Sequence, residues 1–504
     1  MRYAGGVRVS APPLFIAQRC GLRFHGTETH LKIGFVSLGC PKNLVDTEVM
    51  MGQLVSSGHE LTPHPAEADV IVVNTCSFID PAKQESVDTI LEMAEYKKTG
   101  KAQRLVVAGC LVERYRADIR ENLPEVDAVL GTNELSQITA LCEGLEPKEL
   151  AAEPYLYHDL TARVFTTPRH SAYIKIAEGC DHPCSFCVIP QFRGAFRSRR
   201  FESVINEASR MFATGVREIN LIGQDTTCYG EDLGLKHGLA DLLARLAEIP
   251  TELPKWVRFL YAYPNKVTQR LLDTIAGHEA LVKYIDMPLQ HASAPVLKRM
   301  KRGANADIFL NLIERIRASI PGVAIRTSMI VGFPGETDAD FDQLCQFVQT
   351  AQFDRLGVFS YSDEETSGSF HLGDKVDKRT IYHRKRKLMA IQRRISSERN
   401  KQLIGRTLPV LVEGPSKETD LLWEARLTTQ APEIDGVCYI NDFGSGDPQP
   451  GEMRMFRVSE AHDYDLVGEL VDARERRNPA APAAANPFPI LHTSHARPSA
   501  IPVR

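Results

Sequence analysis

Residues 177–194, AEGCDHPCSFCVIPQFRG, place Cys180, Cys184 and Cys187 within eight residues of one another. Thiolates bind iron in 4Fe–4S clusters, normally with one cysteine for each iron, so a local set of three leaves one iron open to another ligand. A structural zinc site would need a fourth cysteine or histidine at finger-like spacing, and His182 lies too close in sequence to supply it. The spacing therefore favours a cluster with an open iron, and zinc is the alternative.

This stretch follows the first of six β-type runs that alternate with helical segments between residues 166 and 397. Repeated strand–helix units of this length are typical of a parallel barrel, partial or complete. The chemistry of such barrels lies in the loops after the strands, which is where the three cysteines stand. The six runs are AYIKIAEGC, EINLIGQD, VRFLYAYP, YIDMPLQ, AIRTSMIVGFPGE and RLGVFSYS.

Residues 31–150 show another α/β pattern, in which runs of Val and Ile alternate with helical segments. Continuous apolar strands of this kind are typical of a parallel sheet that is covered on both faces. Three of these strands, KIGFVSLGC, ADVIVVNTC and RLVVAGC, end in Cys40, Cys76 and Cys110. Because the carboxyl ends of parallel strands line one crevice, the sequence predicts that these cysteines converge. A buried structural role is the alternative for any one of them.

The composition of the 504-residue chain is that of a globular protein, with 43% hydrophobic and 25% charged residues. Its length predicts several domains, and the lack of an eighteen-residue apolar run excludes a transmembrane helix. Eleven cysteines without an export signal are typical of a reducing cytoplasm, where clustered thiols indicate metal or redox chemistry. Residues 1–30 are predicted to form a flexible extension, and residues 476–504, rich in Pro and Ala, a disordered tail.

Two segments of opposite charge follow the barrel pattern. DKRTIYHRKRKLMAIQRRISSERNKQ (377–402) predicts a strongly basic helix, for which a solvated face and contact with nucleic acid are both open interpretations. Residues 398–470 predict a small all-β barrel of short strands and turns. Between Gly405 and Glu475 there are 15 Asp and Glu residues against 6 Lys and Arg residues. A tRNA-binding module should be basic, so this acidic one favours a basic protein partner.

The CxxxCxxC spacing of CDHPCSFC, with Phe186 before the last cysteine, resembles the signature of the radical S-adenosylmethionine (SAM) superfamily. That resemblance implies that SAM chelates the open iron and is cleaved to a 5′-deoxyadenosyl radical. Together the three units resemble the methylthiotransferases, in which a TRAM domain forms the C-terminal barrel. This resemblance implies a second, auxiliary 4Fe–4S cluster at Cys40, Cys76 and Cys110. It also implies that one SAM methylates sulfur bound to that cluster and that another supplies the radical.

Five segments resemble the branch of this family that modifies an aspartate in the small-subunit ribosomal protein numbered twelve. The tRNA-modifying branch usually has GCxMN and PxQSGS where this chain has GCPKN (39–43) and PLQHAS (288–293). The implied reaction is methylthiolation of an aspartate β-carbon. The alternatives are tRNA methylthiolation, a non-catalytic iron–sulfur scaffold or electron carrier, and a zinc-stabilised protein that binds nucleic acid. The five segments are SLGCPKNLVDTE, NTCSFIDPAKQES, YIDMPLQHAS, RTSMIVGFPGET and APEIDG.

The resemblance also implies candidate SAM contacts, although it indicates no catalytic side chain. LIGQDTT (221–227) follows the second barrel strand, where radical SAM enzymes bind the SAM amino group, and this points to Gln224. RTSMIVGFPGE (326–336) matches the region that cradles SAM, which points to Arg326 and Gly332. Structural hydrogen bonding is the alternative for Gln224 and Arg326. We assign no role to Asp225, Gln290, His291, Cys20, Cys142, Cys228, Cys345 and Cys438.

The chain departs from the family pattern in two segments outside the cysteine sites. YSDEETSGSF (361–370) stands where the family has YSxEEGTxA, and LLWEARLTTQAPEIDG (421–436) lacks the usual Gly-Arg start. The expected partners are a basic ribosomal protein, bound through the acidic C-terminal barrel, and an electron donor. The chain is expected to be a monomer that contacts neither a membrane nor tRNA.

Overall fold

The computed structural model describes residues 30–145, 155–419, 421–444 and 446–471. The predicted N-terminal extension, apart from His30, and the predicted tail at 476–504 lie outside these residues. Within the described ranges, every helix is too short or too polar to cross a lipid bilayer. The described residues form three successive units, each with its own strands.

The first unit is a parallel sheet covered by helices on both faces. Its strands and helices are β1 (Lys32–Ser37), α1 (Pro41–Ser56), β2 (Glu60–Leu61), β3 (Val70–Thr75), α2 (Asp80–Ala94), α3 (Tyr96–Thr99), β4 (Arg104–Gly109), α4 (Cys110–Asn122), β5 (Ala128–Leu130) and α5 (Ile138–Cys142). The strand order is β2-β1-β3-β4-β5, and every pairing is parallel. Strand β3 is buried at every residue because apolar clusters lie on both sides of the sheet. The predicted parallel α/β unit is confirmed.

The second unit is an open barrel of six parallel strands with helices outside. Its elements are β6 (Ser171–Lys175), β7 (Ala177–Glu178), α6 (Ile189–Arg193), β8 (Arg197–Ser198), α7 (Phe201–Ala213), β9 (Glu218–Ile222), α8 (Gly238–Glu248), β10 (Trp256–Phe259), α9 (Gln269–Gly277), β11 (Tyr284–Asp286), α10 (Ala294–Arg299), α11 (Ala306–Ser319), β12 (Ala324–Val331), α12 (Asp338–Ala351), β13 (Arg355–Ser360) and α13 (Lys378–Lys401). Strands β10-β9-β6 and β11-β12-β13 form two sheets, which a parallel bridge between Val257 and Leu281 connects. Among the described strands, β13 and β6 do not pair, so the barrel is partial, as predicted.

The third unit is a small closed barrel of five strands. They are β14 (Thr407–Pro415), β15 (Trp423–Leu427), β16 (Cys438–Asp442), β17 (Met453–Ala461) and β18 (Leu466–Val471), in the closed order β14-β15-β16-β18-β17. Alternate residues of the strands point inward, and Val410, Val412, Phe456 and Val458 are among those that fill the interior. The predicted small all-β barrel is confirmed.

Buried ion pairs join the third unit to the second. Glu218 in β9 accepts hydrogen bonds from Arg258 of β10 at 3.0 Å and from Arg426 of β15 at 2.5 Å. Burial alone would raise the pKa of Glu218, but the two guanidinium groups outweigh it and lower this pKa to about 2. The carboxylate is therefore ionised at neutral pH, and both cations keep their charged partner in the interior.

One apolar cluster is shared by all three units. It contains Val45 of α1, Tyr173 of β6, Trp256 of β10 and Leu411 of β14, all of which are buried. Each fully buried side chain of this size contributes about 1.5–3 kcal/mol through the loss of apolar surface to water. The units therefore pack as one body, and the cysteine-bearing edges of the first two are fixed relative to each other.

Candidate functional site

The first cysteine triad lies on neighbouring loops at the carboxyl edge of the N-terminal sheet. Cys40 immediately precedes α1, Cys76 immediately follows β3, and Cys110 is the first residue of α4. Burial, followed by the proximity of Cys110 and Cys40, raises the pKa of Cys76 to about 12. Such a thiol stays neutral until a bound cation displaces its proton, which is how metal sites form from cysteine. The structure brings the three cysteines together.

Gly39 occupies a position beside this triad that only glycine can fill. Its φ is +88°, and an added Cβ would lie 2.7 Å from the Cβ of Cys76 and 3.0 Å from its Sγ. We expect Gly39→Ala to displace Cys76 and to prevent iron binding at the first triad. Iron analysis after anaerobic reconstitution should show about half of the wild-type iron, since one of two clusters is lost.

Gly58→Ala is a matched control for this variant. Gly58 also has a positive φ, +90°, but the nearest atom to its added Cβ is 3.6 Å away, which is ordinary contact. Both variants therefore bear a backbone strain of about 1–2 kcal/mol, and only Gly39→Ala also meets Cys76. Equal iron contents in the two variants would show that the close approach to Cys76 has no role.

The second triad occupies the loop between β7 and α6. Burial raises the pKa of Cys180 to about 11 and that of Cys187 to about 12. The backbone amide of Cys187 donates to the carbonyl of Cys184 at 3.1 Å, which folds the loop back on itself. The guanidinium of Arg302 donates to the Sγ of Cys184 at 3.5 Å. The second set of three thiols is thus gathered in one turn at the mouth of the partial barrel.

Stacked side chains orient this loop. The ring of His182 stacks on Tyr263 with 3.7 Å between centroids, and Arg302 lies over the same tyrosine ring at 4.4 Å. His182 also pairs with Asp225 at 2.6 Å, and Cys228 donates to that carboxylate at 3.1 Å. No motif in the sequence assigns a role to Asp225 or Cys228. Their contacts show that they hold the His182 side chain of the cysteine loop in place.

Apolar contacts place the two triads side by side. Val188, which directly follows Cys187, packs in one buried cluster with Phe192 and with Cys110 of the first triad. Phe192 also accepts a hydrogen bond from Thr132 of the first unit through its carbonyl, at 2.8 Å. The loop that follows the second triad is therefore seated directly on the first.

A buried network of charged groups lies at the same contact. Arg193 donates to the Sγ of Cys110 at 3.2 Å and to the carboxylate of Asp46 at 2.7 Å. Lys175 binds both Asp46 and Glu178, the latter at 2.6 Å. Burial alone would raise the pKa of Glu178, but the Lys175 and Arg193 cations outweigh it and lower this pKa to about 2. Four charges from two units are thus paired beside a cysteine, although no local motif marks them.

The segment that departs from the family pattern contacts both triad-bearing units. Glu364 is 2% exposed and accepts from Lys83 of α2 at 3.0 Å and from Arg114 of α4 at 2.9 Å. Five residues on, the amide of Ser369 donates at 2.8 Å to the carbonyl of Ser185, which lies between Cys184 and Cys187. The segment therefore connects the first unit to the second cysteine loop.

Among the predicted SAM contacts, Gln224 lies closest to the charged network. It stands two residues after β9, and its Nε2 donates to the carboxylate of Glu178 at 2.5 Å. Its Oε1 is buried and has no hydrogen-bond partner within the described ranges. A buried amide oxygen without a partner is costly, so it fits a site that a donor such as an ammonium group would complete.

Arg326 and Gly332 have other contacts in the structure. Arg326 lies in the first half of β12, donates to Asp286 at 2.8 Å and is 3.7 Å from Asp435 of the C-terminal barrel. These are the contacts of a residue that joins two units. Gly332 directly follows β12, and the side chain of Ile381 from α13 fills the space that a Cβ would occupy. SAM contact by either residue stays a prediction.

Known protein families match the chain over each of its three units. The matches are to Uncharacterized protein family UPF0004 over residues 32–131, to the Radical SAM superfamily over 174–348 and to the TRAM domain over 404–471. The fold and the CxxxCxxC loop therefore define a radical SAM enzyme, a class that uses SAM and an iron–sulfur cluster.

The full-length relatives identify the family within that class. The chain is 72% identical over 458 residues to Ribosomal protein uS12 methylthiotransferase RimO of Solibacter usitatus (strain Ellin6076), covering 90% of this chain and 98% of that protein. It is 58% identical to the RimO of Koribacter versatilis (strain Ellin345), with 87% and 96% covered. A solved structure of the radical SAM methyltransferase TsrM from Kitasatospora setae is similar with a TM-score of 0.49 at 16% identity, covering 66% of this chain and 73% of that one. The chain belongs to the RimO family of methylthiotransferases.

Proposed function

We propose that this enzyme adds a methylthio group to the β-carbon of an aspartate in ribosomal protein uS12. The observation that carries the proposal is the contact between the two triads, in which Val188, next to Cys187, packs on Cys110. A radical formed at one triad and a sulfur group held at the other would then lie in adjoining loops. Relatives that are 72% identical over 458 residues and 58% identical over 488 residues are named ribosomal protein uS12 methylthiotransferases.

The donor sets fit two iron–sulfur clusters. Cys40, Cys76 and Cys110 would hold the auxiliary cluster, and the second triad, Cys180, Cys184 and Cys187, the cluster that binds SAM. Each set supplies three thiols, one fewer than the irons of a 4Fe–4S cluster, and four of the six have a pKa raised by burial. When bound, SAM and its cluster would supply the methyl donor and the carbon-centred radical, and the auxiliary cluster would supply a site for transferable sulfur.

The chain's own residues position these sites. Arg193 presents an N–H to the sulfur of Cys110, and its charge is neutralised by Asp46 and Glu178 without access to solvent. Gln224 has a free amide oxygen beside Glu178, which suits it to accept from the ammonium group of SAM. The Glu364 ion pairs hold the first unit against the second.

The C-terminal barrel is proposed to bind uS12 by charge. A depression of about 340 Å³ on its outer surface is lined by Asn441, Asp442, Ser459 and Glu469, and of its two carboxylates Glu469 is paired with Arg457 at 2.7 Å. Opposite charges on two partners accelerate encounter and fix orientation, which favours a basic ribosomal protein here over tRNA. We further propose that the enzyme is a cytoplasmic monomer that receives electrons from a separate donor protein.

The decisive experiment is anaerobic reconstitution followed by turnover with SAM, a reductant and purified uS12. We expect about eight irons per chain, as two 4Fe–4S clusters require, and a mass gain of one methylthio group on one aspartate of uS12. Parallel reactions contain unmodified tRNA in place of uS12. Methylthiolation of tRNA with no change to uS12 would overturn the assigned substrate, and 5′-deoxyadenosine with no transfer to either would overturn the assigned reaction.

A further inference from the structure

The basic helix α13 is a charged surface that the proposed reaction does not use. Ten of its 24 residues are Lys or Arg, and Glu398 is its one acidic residue. Part of this charge is consumed within the fold, since Arg384 is buried against Asp338 and Arg399 binds Asp354 at 2.5 Å. The remaining charge is not spread evenly along the helix.

Apart from Lys401 near its end, the cations of α13 that have no ion-pair partner among the described residues lie in its first three turns. Among the described residues, no carboxylate oxygen lies within 4.0 Å of the side-chain nitrogens of Lys378, Arg379, Lys385 or Arg386. Tyr382 stands among them and is 56% exposed, with the guanidinium of Arg386 over its ring at 5.6 Å. Residues 378, 382, 385 and 386 recur at spacings of three and four, so they share one face of the helix. We call the four cations and this tyrosine, Lys378, Arg379, Tyr382, Lys385 and Arg386, the α13 patch.

Helix α13 links the mouth of the barrel, where the α13 patch lies, to the acidic module. At its start, Ile381 covers Gly332 at the carboxyl end of β12, the edge that carries the second cysteine triad. At its end, Asn400 donates to the carbonyl of His462 in the C-terminal barrel at 3.0 Å. A helix of this length spans about 36 Å. The α13 patch therefore lies at the barrel-mouth end of a helix whose other end contacts the acidic barrel.

We propose that the α13 patch binds the phosphate backbone of small-subunit ribosomal RNA, so that the enzyme can modify uS12 on the RNA that carries it. This inference rests on the proposed substrate. A basic ribosomal protein would be attracted by the acidic barrel and repelled by the patch, whereas the RNA beneath such a protein is a polyanion. Unpaired Arg and Lys side chains with an exposed tyrosine between them match phosphate contact and base stacking.

The test compares a charge-reversed patch with an equal charge reversal elsewhere. The patch variant is Lys378→Glu/Arg379→Glu/Arg386→Glu. Its first two substitutions place acidic residues in the first turn of the helix, where they are compatible with its dipole, and the third lies in the third turn at an exposed position. The control is Lys98→Glu/Lys101→Glu/Arg120→Glu. These three residues are exposed, and Lys98 and Lys101 lie before β4, at the edge of the first sheet opposite its cysteines. Both variants lose the same net charge.

Binding to naked 16S ribosomal RNA is measured by filter retention over a range of salt concentrations. Loss of three phosphate contacts should weaken binding by the patch variant at least ten-fold at about 0.1 M salt and should lower the slope of log K against log salt by about 2 or more. The control should stay within about two-fold of wild type, because its charges lie away from the patch. Equal binding by the two variants would overturn the inference.

Turnover separates this inference from the proposed function. The patch variant should modify free uS12 at no less than the wild-type rate, because the reversal removes charges that repel a basic protein. It should modify uS12 within purified 30S subunits at least ten-fold more slowly, in line with its lost RNA contacts. An equal loss on both substrates, or a wild-type enzyme that modifies free uS12 and never the subunit, would overturn the RNA-docking role. Failure of wild-type enzyme on both forms would refute the proposed function, while the RNA-binding measurement would still decide whether the patch binds RNA.

Discussion

Cys76→Ala is expected to abolish methylthio transfer while leaving reductive cleavage of SAM intact. The variant removes one of three thiols from the auxiliary site, and the two that remain cannot hold a cluster that normally has four protein ligands. Iron per chain should therefore fall from about eight to about four. Mass spectrometry of uS12 should show no methylthio product, whereas 5′-deoxyadenosine, measured by chromatography, should still form because Cys180, Cys184 and Cys187 are unchanged.

Two comparison variants make this result specific. Cys142→Ala removes another buried thiol of the same unit, in α5, and should keep full iron content and activity. Cys184→Ala should also abolish methylthio transfer, but in this variant the formation of 5′-deoxyadenosine should disappear as well. An iron content near four in the wild type that Cys76→Ala leaves unchanged would refute the two-cluster assignment.

Features that depend on one strand and its loop could be predicted from the sequence. The Val and Ile runs before Cys76 and Cys110 mark parallel strands, and parallel strands carry their loops to a common edge. The proximity of the first triad follows from that rule, and the neighbouring Cys110 and Cys40 add to the effect of burial in raising the pKa of Cys76. The second triad is local in sequence, so its thiols are neighbours in any compact loop.

Features that depend on packing between units could not be predicted. Asp46 lies on α1, and Arg193 is 147 residues away in sequence, yet they form a direct ion pair. No periodicity or spacing connects them, because the contact exists only when two independent sheets meet. At Arg326 a local motif is present, but it does not predict the contacts that the side chain makes. The segment around it resembles a SAM-binding region, whereas its side chain pairs with Asp286 and approaches Asp435 of the third unit.

The largest effect on stability is expected at the ion pair between Asp46 and Arg193, from Arg193→Met. Methionine fills much of the space of the arginine stem but removes the charge, which leaves Asp46 and Glu178, each 4% exposed, with Lys175 as their one cation. Removing one partner from a buried ion-pair network costs about 3–5 kcal/mol, because the remaining charges stay desolvated. Chemical denaturation should show this loss in the free energy of unfolding.

A purely structural role for Arg193 would affect stability alone. Its contact with Cys110 predicts an effect on the reduction potential of the auxiliary cluster as well. The guanidinium places an N–H 3.2 Å from the Cys110 sulfur, and hydrogen bonds and positive charge near cluster sulfurs raise reduction potentials. Arg193→Met should therefore shift the potential of the auxiliary cluster to more negative values, as measured by EPR-monitored titration.

Arg193→Lys should recover part of the free energy of unfolding and a smaller part of the shift in reduction potential. Lysine keeps the charge, but it lacks the planar fork with which arginine bonds Asp46, Glu178 and Cys110 at once. Arg197→Met, four residues along the chain, removes a guanidinium that bonds backbone carbonyls and should leave the potential unchanged. A potential equal to that of wild type in Arg193→Met would show that the bond to Cys110 does not act on the cluster.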